Sequence, residues 1–357
     1  MDHQLRRTHL VARLPEVGVD AMVITRLPNV RYLTGFTGSN GLVLVTAAET
    51  VFFSDGRYTE QSRHEVPDLN RVTALHGFVA PMADHCTRLG VSRLGFEAHG
   101  VTVDQHRRFG DALEGVELVP LGEEVERLRW AKDLDELELL RRAQAATDLA
   151  FDDILERLAV GMTERQIALA LEQLLRRDGA DGLAFESIVA FGENAAEPHH
   201  SPNHRVLVEG DVITLDFGAL VGGYHADMTR TVSFGQPPPE LRKIHDVVRE
   251  AQQAGVDAVR AGVLGRDLDR TVRGAIEDAG YGEAFTHGLG HGVGLEIHEG
   301  PTLRSNSEEV LPVGAVVTVE PGVYIPGEAG VRIEDMVEVT EGGCRVIPRS
   351  TKELVVL

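Results

Sequence analysis

The chain has 357 residues with a formal net charge of −21, and 43% of its residues are hydrophobic. The length predicts about two domains, because single hydrophobic cores rarely grow beyond about 250 residues. The acidic balance excludes broad electrostatic binding to nucleic acid or anionic membranes. Two cysteines are too few for a disulfide framework and suit a reducing compartment. With no signal-type or membrane-length apolar segment in the sequence, we expect a cytoplasmic protein.

The first third of the chain alternates short β-type runs with helical patterns. Helical spacing of apolar residues is found over residues 57–64 and 103–113. The predicted strands are residues 20–25, 41–46, 50–54, 71–75, 93–97 and 116–120. Such alternation is typical of an α/β domain, in which helices cover a sheet.

The rest of the chain begins with helices and then becomes rich in β-type sequence. Apolar periodicity predicts helices over residues 132–158, 240–260 and 266–279. Thr163 and Gln166 form a capping box that starts a further helix between the first two of these. We therefore predict an α/β N-terminal domain over residues 1–125 and an α+β C-terminal domain over residues 126–357.

A predicted hairpin in the C-terminal half carries two aspartates in otherwise apolar strands. Its turn signal is the LVGG run at residues 220–223. If the turn is centred between Val221 and Gly222, Asp216 lies directly opposite Asp227, with Cβ atoms about 4.5–5.5 Å apart. A β-bulge would shift this register by one residue.

The same construction recurs near the C-terminus. Residues 315–325 and 330–340 are rich in β-type sequence and are joined by a turn centred on Gly327. In that register Glu320 lies opposite Glu334. Like charges that face each other within an apolar sheet destabilise it. Either one carboxyl group of each pair stays protonated, or a cation lies between the two.

Three histidines fall within one glycine-rich segment. The segment runs from His287 through His291 to His298, and its glycines argue against a helix. It matches neither the zincin pattern nor a dinucleotide-binding or P-loop motif. Glycine does allow the backbone to approach a metal or a substrate closely. A further candidate, His199, lies in a loop with proline and serine before the first acidic hairpin.

Together these segments supply two aspartates, two glutamates and at least one histidine as candidate metal ligands. The set exceeds what one tetrahedral zinc ion needs, and it suits two divalent ions bridged by carboxylates. Because carboxylates dominate the set, manganese ranks first, with cobalt, iron and zinc as alternatives. Each residue alone is explained more simply by a solvated face or a hydrogen-bonded core histidine, but the combination favours a metal site.

These segments resemble the pita-bread metallopeptidases, which include methionine aminopeptidase, Xaa-Pro aminopeptidase and Xaa-Pro dipeptidase (prolidase). The matching motifs are LDFG at 215–218, ADMTRT at 226–231, HGLGH at 287–291, VEPG at 319–322 and RIED at 332–335. In the N-terminal third, YLTGFTGSNG at 32–41 and SDGRY at 54–58 resemble the creatinase/prolidase-like N-terminal domain of the Xaa-Pro peptidases. Methionine aminopeptidases lack that domain, and creatinases lack the metal ligands. The resemblance therefore implies an α/β creatinase/prolidase-like domain followed by an α+β pita-bread catalytic domain.

The resemblance also implies roles for individual residues. The ligands that it assigns to two divalent metal ions are Asp216, Asp227, His291, Glu320 and Glu334. Of these, Asp227 and Glu334 would bridge both ions. Arg332 matches an arginine that holds carboxylates by charged hydrogen bonds. The residues expected to contact the substrate are His199, His287, His298, Thr302 and Tyr324.

In the implied mechanism, two metal ions lower the pKa of a bridging water and make hydroxide available near neutral pH. Glu320 is the general base that accepts and relays the proton, and His298 or His199 helps to polarise the scissile carbonyl group. A proline nitrogen carries no hydrogen, so a pocket shaped for the proline ring is expected to supply the binding. The expected partners are proline-containing peptides, and the family suggests a homodimer.

Substrate length separates Xaa-Pro aminopeptidases from dipeptidases. Dipeptidase-type relatives often have an arginine four residues after the histidine that matches His298, where it holds the free carboxylate of the dipeptide. Thr302 occupies that position here, and Arg304 follows two residues later. We therefore predict an Xaa-Pro aminopeptidase, with Xaa-Pro dipeptidase as the alternative. A non-catalytic peptide-binding protein on the same fold is a more distant alternative, because such proteins lose metal ligands and none is missing here.

Overall fold

The computed structural model describes residues 1–357 and divides them into two compact units, residues 1–129 and 130–357. Each unit has its own cluster of buried apolar side chains. None of the helices combines the length and the apolar character needed to cross a bilayer. The domain division at residue 125 stays a prediction.

The first unit is an α/β fold built on one six-stranded sheet in the order β4-β3-β2-β1-β5-β6. Its strands are β1 (Ala21–Ile24), β2 (Gly41–Thr46), β3 (Thr50–Ser54), β4 (Asn70–Thr73), β5 (Arg93–Glu97) and β6 (Glu117–Leu121). Its helices are α1 (His3–Arg13), α2 (Leu27–Thr34), α3 (Thr59–Glu65), α4 (Val79–Leu89) and α5 (Val103–Ala112). β2 runs antiparallel to β1 and β3, and the other neighbours are parallel. All six predicted strands are therefore present.

Helices α2 and α4 are not predicted from the sequence. α2 has only 8 residues, too few to show a clear apolar period. α4 contains Pro81 in its first turn. The backbone N–H groups of a first turn have no acceptor within the helix, so a proline there costs no helical hydrogen bond. Its apolar face is nevertheless buried, through Met82 and Cys86. Tertiary packing therefore stabilises both helices where their local sequence is a weak signal.

The second unit is an α+β fold. Its helices are α7 (Leu134–Leu155), α8 (Glu164–Arg177), α9 (Pro239–Ala258) and α10 (Gly265–Asp278). The short helix α6 (Glu126–Trp130) spans the division between the two units. Strands β7 (Gly182–Leu183), β10 (Ala219–Val221) and β11 (Tyr224–His225) form one small sheet, and β8 (Ile188–Phe191), β9 (Val212–Phe217) and β12 (Met228–Ser233) form another. A five-stranded sheet contains β13 (Gly290–Gly292), β14 (Glu299–Leu303), β15 (Val316–Val319), β18 (Asp335–Val339) and β19 (Cys344–Val346). β16 (Gly322–Ile325) and β17 (Ala329–Arg332) form a two-stranded ribbon.

The predicted helices of the second unit are all present. α8 begins with the predicted capping box, in which the Thr163 side chain accepts from Gln166 N and the Gln166 side chain accepts from Thr163 N. α9 and α10 pack against the apolar cluster beneath the five-stranded sheet through Val248 and Val272. Both helices are amphipathic, so their buried faces explain the apolar period in the sequence.

The predicted pairing of Asp216 with Asp227 is wrong by two residues. Gly222 and Gly223 both have positive φ, 56° and 81°, which is the pattern of a type I′ hairpin turn. The turn is therefore centred one residue later than predicted, and Asp216 lies opposite Thr229. A shift of two residues keeps every side chain on its own face of the sheet. For that reason both aspartates still line one cavity.

The predicted register of the second acidic hairpin is confirmed. In the ribbon, Gly322 pairs with Arg332. In the larger sheet, Val319 pairs with Asp335. Both pairs belong to the register predicted for Glu320 and Glu334, which lie between these strands. The turn, with Gly327 at φ 76°, has the centre that the sequence indicated.

Candidate active site

A cavity of about 550 Å³ lies in the second unit. The predicted site residues on its surface are Asp216, Asp227, His199, His287, His291, His298, Thr302, Glu320, Arg332 and Glu334. Tyr324 does not line the cavity but lies behind it. The tertiary structure thus brings together residues that are up to 135 positions apart, from His199 to Glu334.

We refer to Asp216, Asp227, Glu320 and Glu334 as the carboxylate wall. Three of the four side chains are almost entirely buried, with residue exposures of 8% for Asp216, 5% for Asp227 and 1% for Glu334. One ligand atom each from Asp227, His291 and Glu334 lie within 4.8 Å of one another. Buried carboxylates this close repel each other unless a cation or protons neutralise them.

Arg332 and Thr229 hold the carboxylate wall from behind. Arg332 Nη2 donates to Asp216 Oδ2 at 2.6 Å, and Arg332 Nε donates to Thr229 Oγ1 at 3.1 Å. Thr229 Oγ1 in turn donates to Glu334 Oε2 at 2.7 Å. One oxygen of Asp216 and one oxygen of Glu334 are therefore fixed by a donor. A single guanidinium cannot neutralise the four carboxylates of the wall.

The other oxygens of the same two carboxylates are without partners. Asp216 Oδ1 and Glu334 Oε1 are buried and make no hydrogen bond. An unsatisfied buried carboxylate oxygen is costly, so it is a strong indication of a cation ligand. Burial and the nearby charge of Glu334 raise the pKa of Asp227 well above its usual value, and burial and Glu320 do the same for the pKa of Glu334. The wall therefore fits divalent cations.

His291 presents one ring nitrogen to the wall. Its Nδ1 donates to the carbonyl oxygen of Gly292 at 3.0 Å, which leaves Nε2 directed at the carboxylates. Nε2 lies 3.3 Å from Glu320 Oε1 and 3.6 Å from Asp227 Oδ2. Burial opposes the charge on Glu320, but the hydrogen bond and the charge of His291 lower the pKa of Glu320 to about 2. Glu320 is thus ionised at neutral pH.

His287 and Tyr324 extend the network away from the wall. His287 Nδ1 bonds the carbonyl oxygen of Gly288 at 2.8 Å, so its Nε2 accepts from the Tyr324 hydroxyl at 2.9 Å. The same hydroxyl accepts from Arg332 Nη1 at 2.7 Å. Burial raises the pKa of Tyr324 to about 12, which keeps the hydroxyl protonated. These contacts favour an orienting role for Tyr324, and its predicted substrate contact stays a prediction.

His298 and His199 reach the cavity from two separate loops. The His298 ring packs edge-on against His291, with ring centroids 4.4 Å apart and an interplanar angle of 73°. Burial lowers the pKa of His298, and the nearby charge of His291 lowers it further. His199 lies in the loop between the 3-10 helix Gly192–Ala196 and β9. Neither ring forms a hydrogen bond with the carboxylate wall, although both line the cavity, so their nitrogens are available to other groups there.

Several residues of the site are not predicted from the sequence. Thr229 connects Arg332 to Glu334, and its position two residues after Asp227 on a β-strand puts it on the same face, which is a usable signal. The apolar cavity residues Phe185, Ile188 and Ile297 carry no such signal, because single apolar residues occur throughout a chain. Arg304, whose position the sequence leaves open, lines the cavity beside Thr302.

Comparisons with known proteins agree with the site. The family model for metallopeptidase family M24 matches residues 138–341, and that for the creatinase/prolidase N-terminal domain matches residues 6–130. The chain is similar to a solved structure of an Xaa-Pro dipeptidase from Bacillus anthracis, with 39% identity, a TM-score of 0.97 and coverage of 100% of both chains.

Two further relatives cover nearly the whole chain. An X-Pro aminopeptidase structure from Thermotoga maritima MSB8 has 36% identity and a TM-score of 0.89, and the match covers 97% of this chain and 100% of that one. An Xaa-Pro dipeptidase of Pyrococcus furiosus is 32% identical over 355 residues, which are 98% of this chain and 99% of that protein. The predicted fold class, a creatinase/prolidase-like domain followed by a pita-bread domain, is confirmed.

Proposed function

The chain belongs to metallopeptidase family M24, and on that premise we propose that it hydrolyses the bond before proline in Xaa-Pro peptides. The observation that carries this proposal is the carboxylate wall, with His291 beside it, on the surface of one cavity. Four carboxylates and an imidazole suit two bridged divalent ions. A non-catalytic peptide-binding surface has no need of buried, unsatisfied carboxylate oxygens, so that alternative is weaker.

We propose two divalent ions, with Mn²⁺ as the native metal because carboxylate oxygens dominate the ligand set. Asp227 and Glu334 would bridge them, and Asp216, His291 and Glu320 would complete the ligand set. Ions bound there supply Lewis acidity and lower the pKa of a water molecule. Co²⁺, Zn²⁺ and Fe²⁺ are alternatives for the same ligands.

The chain's own residues orient the substrate and move the proton. Glu320, ionised at neutral pH, accepts the proton of the attacking water as general base. We assign to His298 and His199 the hydrogen bonds that stabilise charge on the scissile carbonyl oxygen. The apolar side chains of Phe185 and Ile297 offer a surface for the proline ring. Binding of the ring replaces the contacts that a backbone N–H would otherwise make.

We further propose that dipeptides are the preferred substrates, which was the alternative in the sequence analysis. The Xaa-Pro dipeptidases among the relatives support this choice. Arg304 supplies a physical reason, because it lines the same cavity and a guanidinium group binds a free carboxylate by paired hydrogen bonds. Arg304 would then hold the free carboxylate of a dipeptide, the role that an arginine often has in dipeptidase-type relatives at the position matching Thr302.

An Xaa-Pro aminopeptidase is the second candidate. Thr302 favours it, because a hydroxyl carries no charge and this one already donates to Glu309 Oε2 at 2.8 Å. The similarity to an X-Pro aminopeptidase at 36% identity also supports it. Without a cationic clamp, a peptide that extends beyond proline loses no interaction and gains contacts in the cavity.

Paired peptides with the same first residue test the two candidates. With Mn²⁺ present, we expect kcat/KM for Xaa-Pro to exceed that for Xaa-Pro-Xaa by about tenfold or more, which corresponds to one charge-assisted contact. Arg304→Ala should lower kcat/KM for the dipeptide by about 10–100-fold. The control Arg270→Ala, at an exposed arginine outside the cavity, should leave it almost unchanged. A preference for tripeptides would replace the dipeptidase proposal with the aminopeptidase. Cleavage of neither peptide with any of the four metals would refute both.

A homodimer and a cytoplasmic location stay predictions. Both come from the family resemblance and the composition rather than from the site. Sedimentation of the purified protein tests the first, and fractionation of cells tests the second. The proposed substrates, proline-containing peptides, do not depend on either result.

A further inference from the structure

A buried carboxylate outside the proposed mechanism holds the loop that carries His199. Glu164 is the first residue of α8, and its side chain is 0% exposed. Both of its oxygens form hydrogen bonds, and every partner belongs to residues 191–203, the segment that contains His199. These partners are Phe191 N at 2.8 Å, Asn194 Nδ2 at 2.9 Å, His200 Nε2 at 2.8 Å and Asn203 N at 3.0 Å.

His200 lies between two carboxylates. Its Nε2 is 2.8 Å from Glu164 Oε2, and its Nδ1 is 2.9 Å from Glu197 Oε2. Because ionised carboxylates only accept hydrogen bonds, this arrangement favours the imidazolium form, in which both ring nitrogens donate; Asn203 Nδ2 also lies 3.3 Å from Nε2. Burial opposes that charge, but the hydrogen bonds with Glu197 and Glu164 raise the pKa of His200 above its ordinary value. Glu164 and His200 therefore form a buried ion pair.

The backbone is tied on both sides of His199. On one side, the carbonyl oxygen of Pro198 accepts from Arg332 Nη1 at 3.3 Å. On the other side, the His200 ring is held by Glu164. His199 itself lines the cavity between these two anchors. Small displacements of a catalytic group reduce turnover strongly. The two contacts that fix the backbone beside His199 should therefore affect turnover.

We propose that Glu164 is a positioning residue that holds His199 at the cavity surface through its ion pair with His200. The inference rests on the proposed function, because it assigns to Glu164 an effect on turnover in addition to an effect on folding. Glu164 does not line the cavity, and its side chain bonds to no proposed metal ligand, so its effect on the site would pass through the loop.

The other charged groups near the pair do not substitute for Glu164. Arg205 donates to both oxygens of Asp211, at 2.8 and 2.9 Å. The Glu197 side chain, which contacts the other nitrogen of His200, is 69% exposed, so solvent screens its charge. Glu193 is exposed as well. Glu197 therefore provides a matched control, because it bonds the same ring from the solvent side.

The experiment compares Glu164→Gln and Glu197→Gln, each alone and combined with His199→Ala, in the full-length Mn²⁺-loaded protein. We expect Glu164→Gln to lower kcat about tenfold, with KM and metal content changed less than about twofold, because a displaced catalytic group affects turnover first. Glu197→Gln should have little effect. In the His199→Ala background, Glu164→Gln should cause no further loss, since residues that act as a unit are not additive.

Equal fold losses with and without His199 would overturn the proposal, because Glu164 would then act by another route. So would an unchanged kcat in the single variant. If Glu164→Gln does not fold, His200→Gln replaces it, because glutamine keeps one donor toward Glu164. It is then tested alone and combined with His199→Ala, and the same two results would overturn the proposal.

A spectroscopic measurement separates this inference from the proposed function. In histidine-labelled protein, nuclear magnetic resonance should show the His200 ring titrating at lower pH in Glu164→Gln than in the wild type, together with a shift of the His199 ring signals. Unchanged His199 signals would refute the positioning role. This readout needs no activity, whereas failure of the wild type to cleave any Xaa-Pro peptide refutes the proposed function alone.

Discussion

The carboxylate wall and the histidine loops are two parts of one cavity that are built in different ways. Glu334 and Asp216 lie in or beside hairpin strands, where the turn sets the register and the pleat sets the face. His199 and His298 lie in loops, where contacts with residues distant in sequence set their positions. Glu164, which anchors the His199 loop, lies 35 positions before it. Strand register and pleat therefore fix the positions of the charged side chains from local sequence, whereas each loop histidine depends on its own contacts with residues distant in sequence.

The largest expected effect comes from removing a charge of the wall. Glu334→Gln should reduce Xaa-Pro hydrolysis to the level of the metal-free protein and lower the bound metal, because it removes a proposed bridging ligand. Metal analysis and an activity assay check both. Glu338→Gln is the matched control on strand β18, since Glu338 pairs with Arg141 at 2.7 Å outside the cavity. Full activity of Glu334→Gln, or of wild type after exhaustive chelation, would contradict the metal mechanism.

The loop histidines should matter for turnover and not for metal binding. We expect His298→Ala to lower kcat by about 10²–10³, the usual effect of losing one donor to a developing oxyanion. Metal content should stay at the wild-type level, because His298 is outside the proposed ligand set. The control is His204→Ala, which removes an exposed histidine near the other loop. If His298→Ala loses metal in proportion to its activity, the distinction between wall and loops fails.

Arg332 belongs to both regions, so its replacement sharpens the comparison. It donates to Asp216 in the wall and to the carbonyl oxygen of Pro198 in the His199 loop. Arg332→Lys keeps the charge but loses the planar fork, and we expect metal affinity or kcat/KM to fall by about 10–100-fold. Calorimetric titration with Mn²⁺ and steady-state kinetics measure the two effects. Arg345→Lys, at an exposed arginine that pairs with Glu338 outside the cavity, should change neither.

The smallest expected effect concerns stability without metal. The pKa of Asp227 is raised by burial and by Glu334, so the metal-free protein loses stability as pH rises from the ordinary carboxyl pKa toward the raised value. Asp227→Asn removes that charge and should raise the melting temperature of the metal-free protein at pH 7, by about 2–4 °C for each kcal/mol relieved. Scanning calorimetry with a chelator checks this. A lower melting temperature for the variant would mean that repulsion among the four carboxylates does not destabilise the metal-free protein.

Much of the fold follows from local patterns. The apolar periods of α7 to α10, the Thr163 capping box and the six strands of the first unit are all present as predicted. The register of Glu320 with Glu334 is also correct, because Gly327 marks the centre of its turn. The pairing of Asp216 failed because two adjacent glycines allow two turn centres, and only the backbone angles distinguish them. The short helices α2 and α4 have too little local signal and depend on packing.

The sequence by itself determined the residue types of the candidate metal site, because ligand chemistry and the two-residue period of a strand are local properties. Only the tertiary structure decided which side chains meet at the cavity. Arg304 beside Thr302, Thr229 between Arg332 and Glu334, and Glu164 beneath His200 join segments whose separation along the chain carries no information about distance in space. The preferred substrate length depends on Arg304, which the fold places where the free carboxylate of a dipeptide would lie. The position of His199 depends on Glu164, which the fold places against the His199 loop.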